Sequence, residues 1–181
     1  MLKRGAPIPT DHANHAFTVV EVVVTVALVG LLASISAVTF SQRHDDDRIR
    51  SSTKLLASWI DDKRKNTIQA GSPCKLTFKQ DTSEVIFGDN PECTASMQSF
   101  DLTKEVSDGS NLQLTMQNST TEIFFSPRGT TNDPAQADVS LTIGLSGSSA
   151  RLGCIKIIEP LGLIRIARHN GDQKCDYTSP F

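Results

Sequence analysis

Aromatic residues are scarce in this chain of 181 residues: eight Phe, one Trp and one Tyr. Hydrophobic residues make up 38% of it, and much of that content lies between Phe17 and Phe40. The remainder is thin in apolar residues, so a domain built from it is small and rich in Ser and Thr. Net charge is slight, −2, which excludes a global basic field that recruits nucleic acid. The length suits one domain, or one domain with an appendage.

Signatures of catalysis are also missing. The chain has no GxxxxGK[ST] phosphate loop and no GxGxxG turn. Gly144-Leu145-Ser146-Gly147 lacks the spacing of a GxSxG nucleophile elbow. His12 and His15 sit near the start, and His44 and His169 are far apart. No Cys/His cluster has zinc-ligand spacing. The expectation is a protein that is not an enzyme and holds no cofactor or metal.

Four cysteines are present: Cys74, Cys93, Cys154 and Cys175. Their even number after an apolar segment fits two disulfides in an oxidising compartment. Three connectivities are open. The favoured one is Cys74–Cys93 with Cys154–Cys175, since each closes a loop of about 20 residues, worth roughly 3 kcal/mol.

The N-terminal region is the most informative. Residues 1–16 are polar, with Lys3, Arg4 and two prolines. Residues 17–40, FTVVEVVVTVALVGLLASISAVTF, contain no Lys, Arg, Asp or Pro and one Glu, Glu21. That run exceeds the ~20 residues that cross a bilayer as a helix. The Val run would favour a strand in water, but a lone spanning segment must be helical, because lipid satisfies no backbone groups. A carboxylate at that depth costs about 2.5–3.5 kcal/mol, and no cation lies in the segment to pair with it. A cut before Phe17 would create an α-amine able to reach the Glu21 of a neighbouring copy. Two other readings are an ordinary signal peptide cut near Ser36-Ala37 and an unprocessed single-pass anchor. The Lys and Arg count on either side, with Arg43, Arg48, Arg50 and Lys54 following the segment, would keep the C-terminal side in the cytoplasm. The cysteines point the other way.

Residues 41–69 contain no Pro or Gly. Ile49, Leu56, Ile60 and Lys63 form one helical stripe, flanked by Leu55, Trp59 and Ile68. Arg50, Ser58, Asp61, Asp62 and Arg64 are expected on the opposite, solvent face. Gly71-Ser72-Pro73 supplies a stop. The run Asp45-Asp46-Asp47, with Arg43, Arg48 and Arg50, reads as a solvated collar; three consecutive helical residues diverge too much to hold one ion. After Pro73 the pattern becomes strand-like. Residues 74–78 and 84–87 read as a hairpin, and residues 112–116 with 121–125 as another. Strands follow at 138–145, 153–158 and 162–167, with polar loops near 101–111 and 129–137.

The junction HA-FTVVEVVVTVALVGLLASI resembles the prepilin junction of type IV pilins and type II secretion pseudopilins. In that family a short basic leader is cut before Phe, and Glu stands at the fifth mature position, as Phe17 and Glu21 do. The residue before the cut is usually Gly; here it is Ala16. Residues 122–131 (EIFFSPRGTT), the strand 138–145 and residues 155–166 (IKIIEPLGLIRI) resemble the GspH/FimT branch of pseudopilins and minor pilins. The resemblance implies an α+β, pilin-like fold, with a long N-terminal transmembrane and amphipathic helix packed on a C-terminal antiparallel β-sheet head. The expected segments are a leader at 1–16, an assembly helix at 17–40, its amphipathic continuation at 41–70 and the head at 71–181. It also implies cleavage between Ala16 and Phe17 and N-methylation of Phe17 by a prepilin peptidase. Assembly with other pilins through Glu21, on an inner-membrane platform and with the head in the periplasm, follows too. The function implied is a minor pilin or pseudopilin that builds or primes a pilus or pseudopilus.

A DNA-binding minor pilin is the alternative. Some members of the branch bind DNA through a Gly-Arg-x-Arg motif, and residues 162–165 read Gly-Leu-Ile-Arg. Arg165 matches and Leu163 replaces the first Arg. Arg168, Lys174, Arg128 and Arg151 could add to a salt-sensitive phosphate patch, diluted by Asp172 and Asp176. On an alternating strand Ile164 and Ile166 face the core, while Leu163, Arg165 and Ala167 face out.

Overall fold

The computed structural model describes residues 18–105, 112–117, 121–131, 138–147, 152–170 and 174–178, with the backbone alone at 35–42, 170 and 174. The leader, Ala16, Phe17 and Arg151 lie outside the described residues. The chain divides into two compact units, 1–40 and 41–181. Helix α1 (Val19–Ala70) contributes to both.

In the first unit, α1 begins at a cap. The Thr18 hydroxyl accepts a hydrogen bond from the Glu21 N–H at 3.3 Å, satisfying one of the donors that a helix start leaves without a partner. Beyond it the helix is apolar on every side. Val19, Val20, Val26, Val29, Leu31 and Leu32 are all exposed, Val19 to 80%.

In the second unit, the later part of α1 buries one stripe on the head. Ile49, Leu56, Ile60 and Lys63 are buried as the spacing predicts, together with Ser52, Thr53, Ala57 and Thr67. Leu55 and Ile68 stay exposed and Trp59 is half-buried. The buried Lys63 is not left alone. It donates to Asp62 at 3.0 Å and to the Gln98 side chain, and its ammonium stands 5.3 Å from the centre of the Trp59 ring. Those partners offset the cost of burying a charge. Gly71, at φ 66°, ends the helix in the left-handed region that favours glycine.

The head has two antiparallel sheets. β1 (Cys74–Lys79), β2 (Glu84–Phe87), β3 (Gln98–Asp101) and β5 (Glu122–Phe125) form the first, in the order β3-β2-β1-β5. β4 (Leu112–Met116), β6 (Val139–Leu145), β7 (Gly153–Ile158), β8 (Leu163–Asn170) and β9 (Lys174–Asp176) form the second, in that order. The first expected hairpin, β1 with β2, is present, with Thr77 opposite Ile86. The second is not. β4 pairs with β6, with Leu114 opposite Ile143, and β5 pairs with β1, with Leu76 opposite Ile123. Alternation states which face of a strand is buried, not which strand lies beside it. The core beneath both sheets includes Leu76, Phe87, Phe125, Leu141, Ile155 and Ile157.

The cysteines join as Cys74–Cys93 and Cys154–Cys175. The second bond links β7 to β9 with β8 between them. Its Cα–Cα separation of 6.0 Å is shorter than two strand spacings of about 4.8 Å each, so β9 curls over the sheet. Ala167 stands opposite Cys154 and is fully buried. That corrects the expectation that Ala167 faces solvent: the short side chain lies where the outer face is covered by the bridge.

A short helix, α2 (Leu102–Glu105), replaces the start of the loop expected from residue 101. Asp101 accepts from the Thr103 N–H at 3.0 Å and pairs with Lys104 at 2.8 Å. Its carboxyl is held down at about 2, chiefly by the Lys104 hydrogen bond and then by the Thr103 hydroxyl. A depressed carboxylate stabilises the fold above its unfolded value, near 3.9, and loses that contribution as pH falls towards 2. Asp101→Asn is therefore expected to cost about 1 kcal/mol or less at pH 7, given solvent screening, and only a small fraction of that near pH 2. Urea melts at the two pH values check this.

Candidate functional site

Two regions carry the residues singled out in the sequence: the apolar start of α1 and the basic positions of the head. Glu21 sits at the third helical position. Among the described residues its carboxylate has no ion-pair or hydrogen-bond partner; its backbone N–H is engaged by the Thr18 hydroxyl. It is the single charge among residues 19–34, whose other large side chains are apolar and exposed. A helix apolar all round is normally buried, in a bilayer or among other helices. An exposed apolar surface of this size marks an interaction site. Among the described residues no helix is long and apolar enough to cross a membrane. The stretch with described apolar side chains stops at Ser34, short of the expected span at 17–40, because side chains at 35–40 lie outside the described residues. Thr18 is the residue that the sequence reading missed here. Its signal was the spacing Thr18-x-x-Glu21, the pattern of a capping box.

Among the described residues, the basic side chains of the head do not converge; Arg151 and the Lys174 side chain lie outside them. Arg165 pairs in register with Lys156, on the face that also carries Cys154 and Ala167. Arg168 has the opposite parity and stands across from Gly153 and Asp176. Successive side chains alternate between faces, so Arg165 and Arg168 belong to opposite sides of the second sheet. Arg128 is exposed in the turn after β5, on the first sheet. Lys174 pairs in register with Asn170. Around Arg165 the nearest cation is already engaged: Lys156 holds Asp138 at 2.6 Å and stands 5.6 Å from the Tyr177 ring. The Lys156 hydrogen bond lowers the Asp138 carboxyl, and burial raises the Tyr177 phenol. On this face Lys156 is therefore charge-compensated, while Arg165 is exposed.

The collar distributes as its helical positions require. Asp45 and Asp46 are half-buried and Asp47 is exposed. No group of three or more His, Cys, Asp or Glu is placed to hold a metal ion among the described residues.

The two turns that carry the head's sequence resemblance meet each other. Gly129 (φ 75°) ends the turn 126–129, and Gly162 (φ 63°) precedes β8. A Cβ on Gly162 would stand 2.7 Å from the Gly129 carbonyl oxygen. Arg64 of α1 ties both turns, donating from Nε to Gly129 O at 2.6 Å and from its guanidinium to Leu161 O at 3.2 Å. The Thr131 N–H donates to Pro160 O at 2.9 Å alongside. Arg64 was expected on the solvent face. Its long side chain instead reaches back over the head, because two turn carbonyls there need donors.

No protein-family model matches the sequence, and no curated protein does either. Solved structures do match. The type IV minor pilin FimU of Pseudomonas aeruginosa aligns with a TM-score of 0.54 at 13% identity, over 76% of this chain and 96% of its own. A second crystal form of it gives 0.50 over 70% of this chain. The minor pseudopilin EpsH of the type 2 secretion system of Vibrio cholerae aligns with a TM-score of 0.50 at 14% identity, over 67% of this chain and 97% of its own. Identities this low speak for architecture alone, and on architecture the result is plain: the chain has the pilin-like α+β fold of minor pilins and minor pseudopilins.

Proposed function

We propose that this chain is a structural subunit of the minor pilin or pseudopilin class, and that it enters or primes a filament through the apolar start of α1. The observation that supports this reading most is the pairing of two features in one chain. One is a head with the minor-pilin fold. The other is an apolar helix exposed on all sides, with one carboxylate and no partner for it among the described residues. In this reading a prepilin peptidase cuts after Ala16 and methylates the Phe17 amine. The helix then holds the chain in the inner membrane with the head in the periplasm. The amine of one copy neutralises Glu21 of the next on the assembly platform.

N-terminal sequencing of the mature protein tests the processing step. A start at N-methyl-Phe17 is expected. A start near Ala37 would make the chain a secreted protein with an ordinary signal peptide, and a start at Met1 an unprocessed anchor.

DNA as the partner is the second reading, and the opposite faces of Arg165 and Arg168 give it no shared patch among the described residues. Replacing Arg165 and Arg168 together with Ala is expected to leave affinity for duplex DNA unchanged at both low and high salt. A phosphate-binding patch would instead lose affinity and salt slope with each cation removed. Titrations of labelled duplex at two salt concentrations read the difference.

A further inference from the structure

One surface of the head is left unfilled beside α1. An open groove of about 420 Å3 runs between the Lys54–Arg64 stretch of α1 and strand β8. Ala57, Ile164 and Ile166 give it apolar walls, and Lys54, Ser58 and Asp61 line its polar side. Most of its charges are engaged. Asp61 holds Lys65 at 2.7 Å, and Arg64 is tied to the Gly129 and Leu161 carbonyls. Lys54 is different: it is exposed, and it has no ion-pair or hydrogen-bond partner among the described residues.

The first unit presents the complementary object. Its helix is apolar on every side and carries one carboxylate, Glu21, with no partner among the described residues. We propose that the groove of one copy receives the apolar helix of a second copy, with Glu21 set against Lys54. This rests on the reading that copies assemble through that helix, and it adds the surface that receives it. A carboxylate has two oxygens and room for more than one donor, so Lys54 can join the Phe17 amine at the same group. With the two helices parallel, Glu21 at Lys54 fixes an offset of 33 residues. Thr25 then lies beside Ser58 and Leu28 beside Asp61. Val24 and Leu28 fall on the Glu21 face at helical spacing, where Ile164 and Ile166 await them. The contact joins two different surfaces, so it is heterologous, and repeated contacts of that kind propagate an open filament.

The test is disulfide trapping between copies, in membranes that contain the assembled full-length protein. The native cysteines are already bonded, so introduced thiols report alone. One tagged copy carries Thr25→Cys and a differently tagged copy carries Ser58→Cys. A second pair at the same offset, Leu28→Cys with Asp61→Cys, guards against one variant failing to fold. The expected result is a mixed-tag dimer from both pairs. Lys54→Glu should lower its yield at least about tenfold, and Lys54→Arg should restore it. Pelleting of assemblies is measured in parallel. Assemblies that pellet normally without either cross-link overturn the groove contact and leave assembly through the helix standing. Loss of both cross-links and pelleting removes both readings. Cross-links that ignore the charge at position 54 overturn the Glu21–Lys54 pairing.

Discussion

Replacing Glu21 with Gln is expected to leave the chain in the membrane and to cut its incorporation into filaments by roughly a hundredfold. The two halves of that outcome come from one energy. A carboxylate at bilayer depth costs about 2.5–3.5 kcal/mol, so the neutral amide enters lipid more readily, and membrane association does not fall. In the proposed assembly, the same energy is what a cation on a neighbouring copy recovers when it meets Glu21. Gln cannot recover it, and about 2.7 kcal/mol corresponds to a hundredfold. Glu21→Asp keeps the charge but shortens the reach by one methylene, and an intermediate loss is expected. Quantifying the subunit in sheared filaments and in the membrane fraction reads both quantities. Wild-type incorporation of the Gln variant would mean that the acid has no part in assembly. The helix itself is not at risk in this test, since its cap uses the backbone N–H of residue 21 and the Thr18 hydroxyl.

How much of this was legible in the sequence follows from the range of the signals. Composition marked the apolar start of α1, and spacing alone marked its buried stripe at Ile49, Leu56, Ile60 and Lys63. Both are local signals, one read from a continuous run and the other from residues three or four apart. The strands were legible for the same reason, since alternation is local. The partner of each strand was not. β4 and β5 are near neighbours in the chain with matching alternation, yet they belong to different sheets, and no local pattern encodes that choice. Arg64 looked like a surface charge because its partners, the carbonyls of Gly129 and Leu161, are 65 and 97 residues away in sequence. The basic positions show another limit of local reading. Arg165 and Arg168 are close in sequence, but three steps along a strand reverse the face. Gly129 and Gly162 lie in separate segments of the sequence; only the fold shows that they touch.

The least legible residue is Gly153, and changing it has the largest expected effect on the fold. It opens β7 and is buried where α1 crosses the second sheet. A Cβ there would stand 1.9 Å from Thr53 Oγ1, 3.1 Å from Thr53 Cβ and 3.2 Å from Ile49 Cγ2. The first contact is impossible, and simple rotation of Thr53 does not relieve it. The Thr53 hydroxyl is buried and donates to the Ile49 carbonyl at 2.6 Å, so turning it away gives up that bond while its Cβ stays close. The helix must instead lift from the sheet along Ile49, Leu56 and Ile60. Overpacking of this kind costs typically 1–3 kcal/mol and occasionally more. With several fully buried side chains displaced, Gly153→Ala is expected at about 3 kcal/mol or above, a large part of the 5–15 kcal/mol that a domain possesses. Urea melts of the full chain in detergent measure it. The double variant Gly153→Ala with Thr53→Ala should recover more than 1 kcal/mol of the loss, because the two residues are in contact and their effects do not add. If Gly153→Ala alone melts with the wild type, α1 does not lie against β7 at this point.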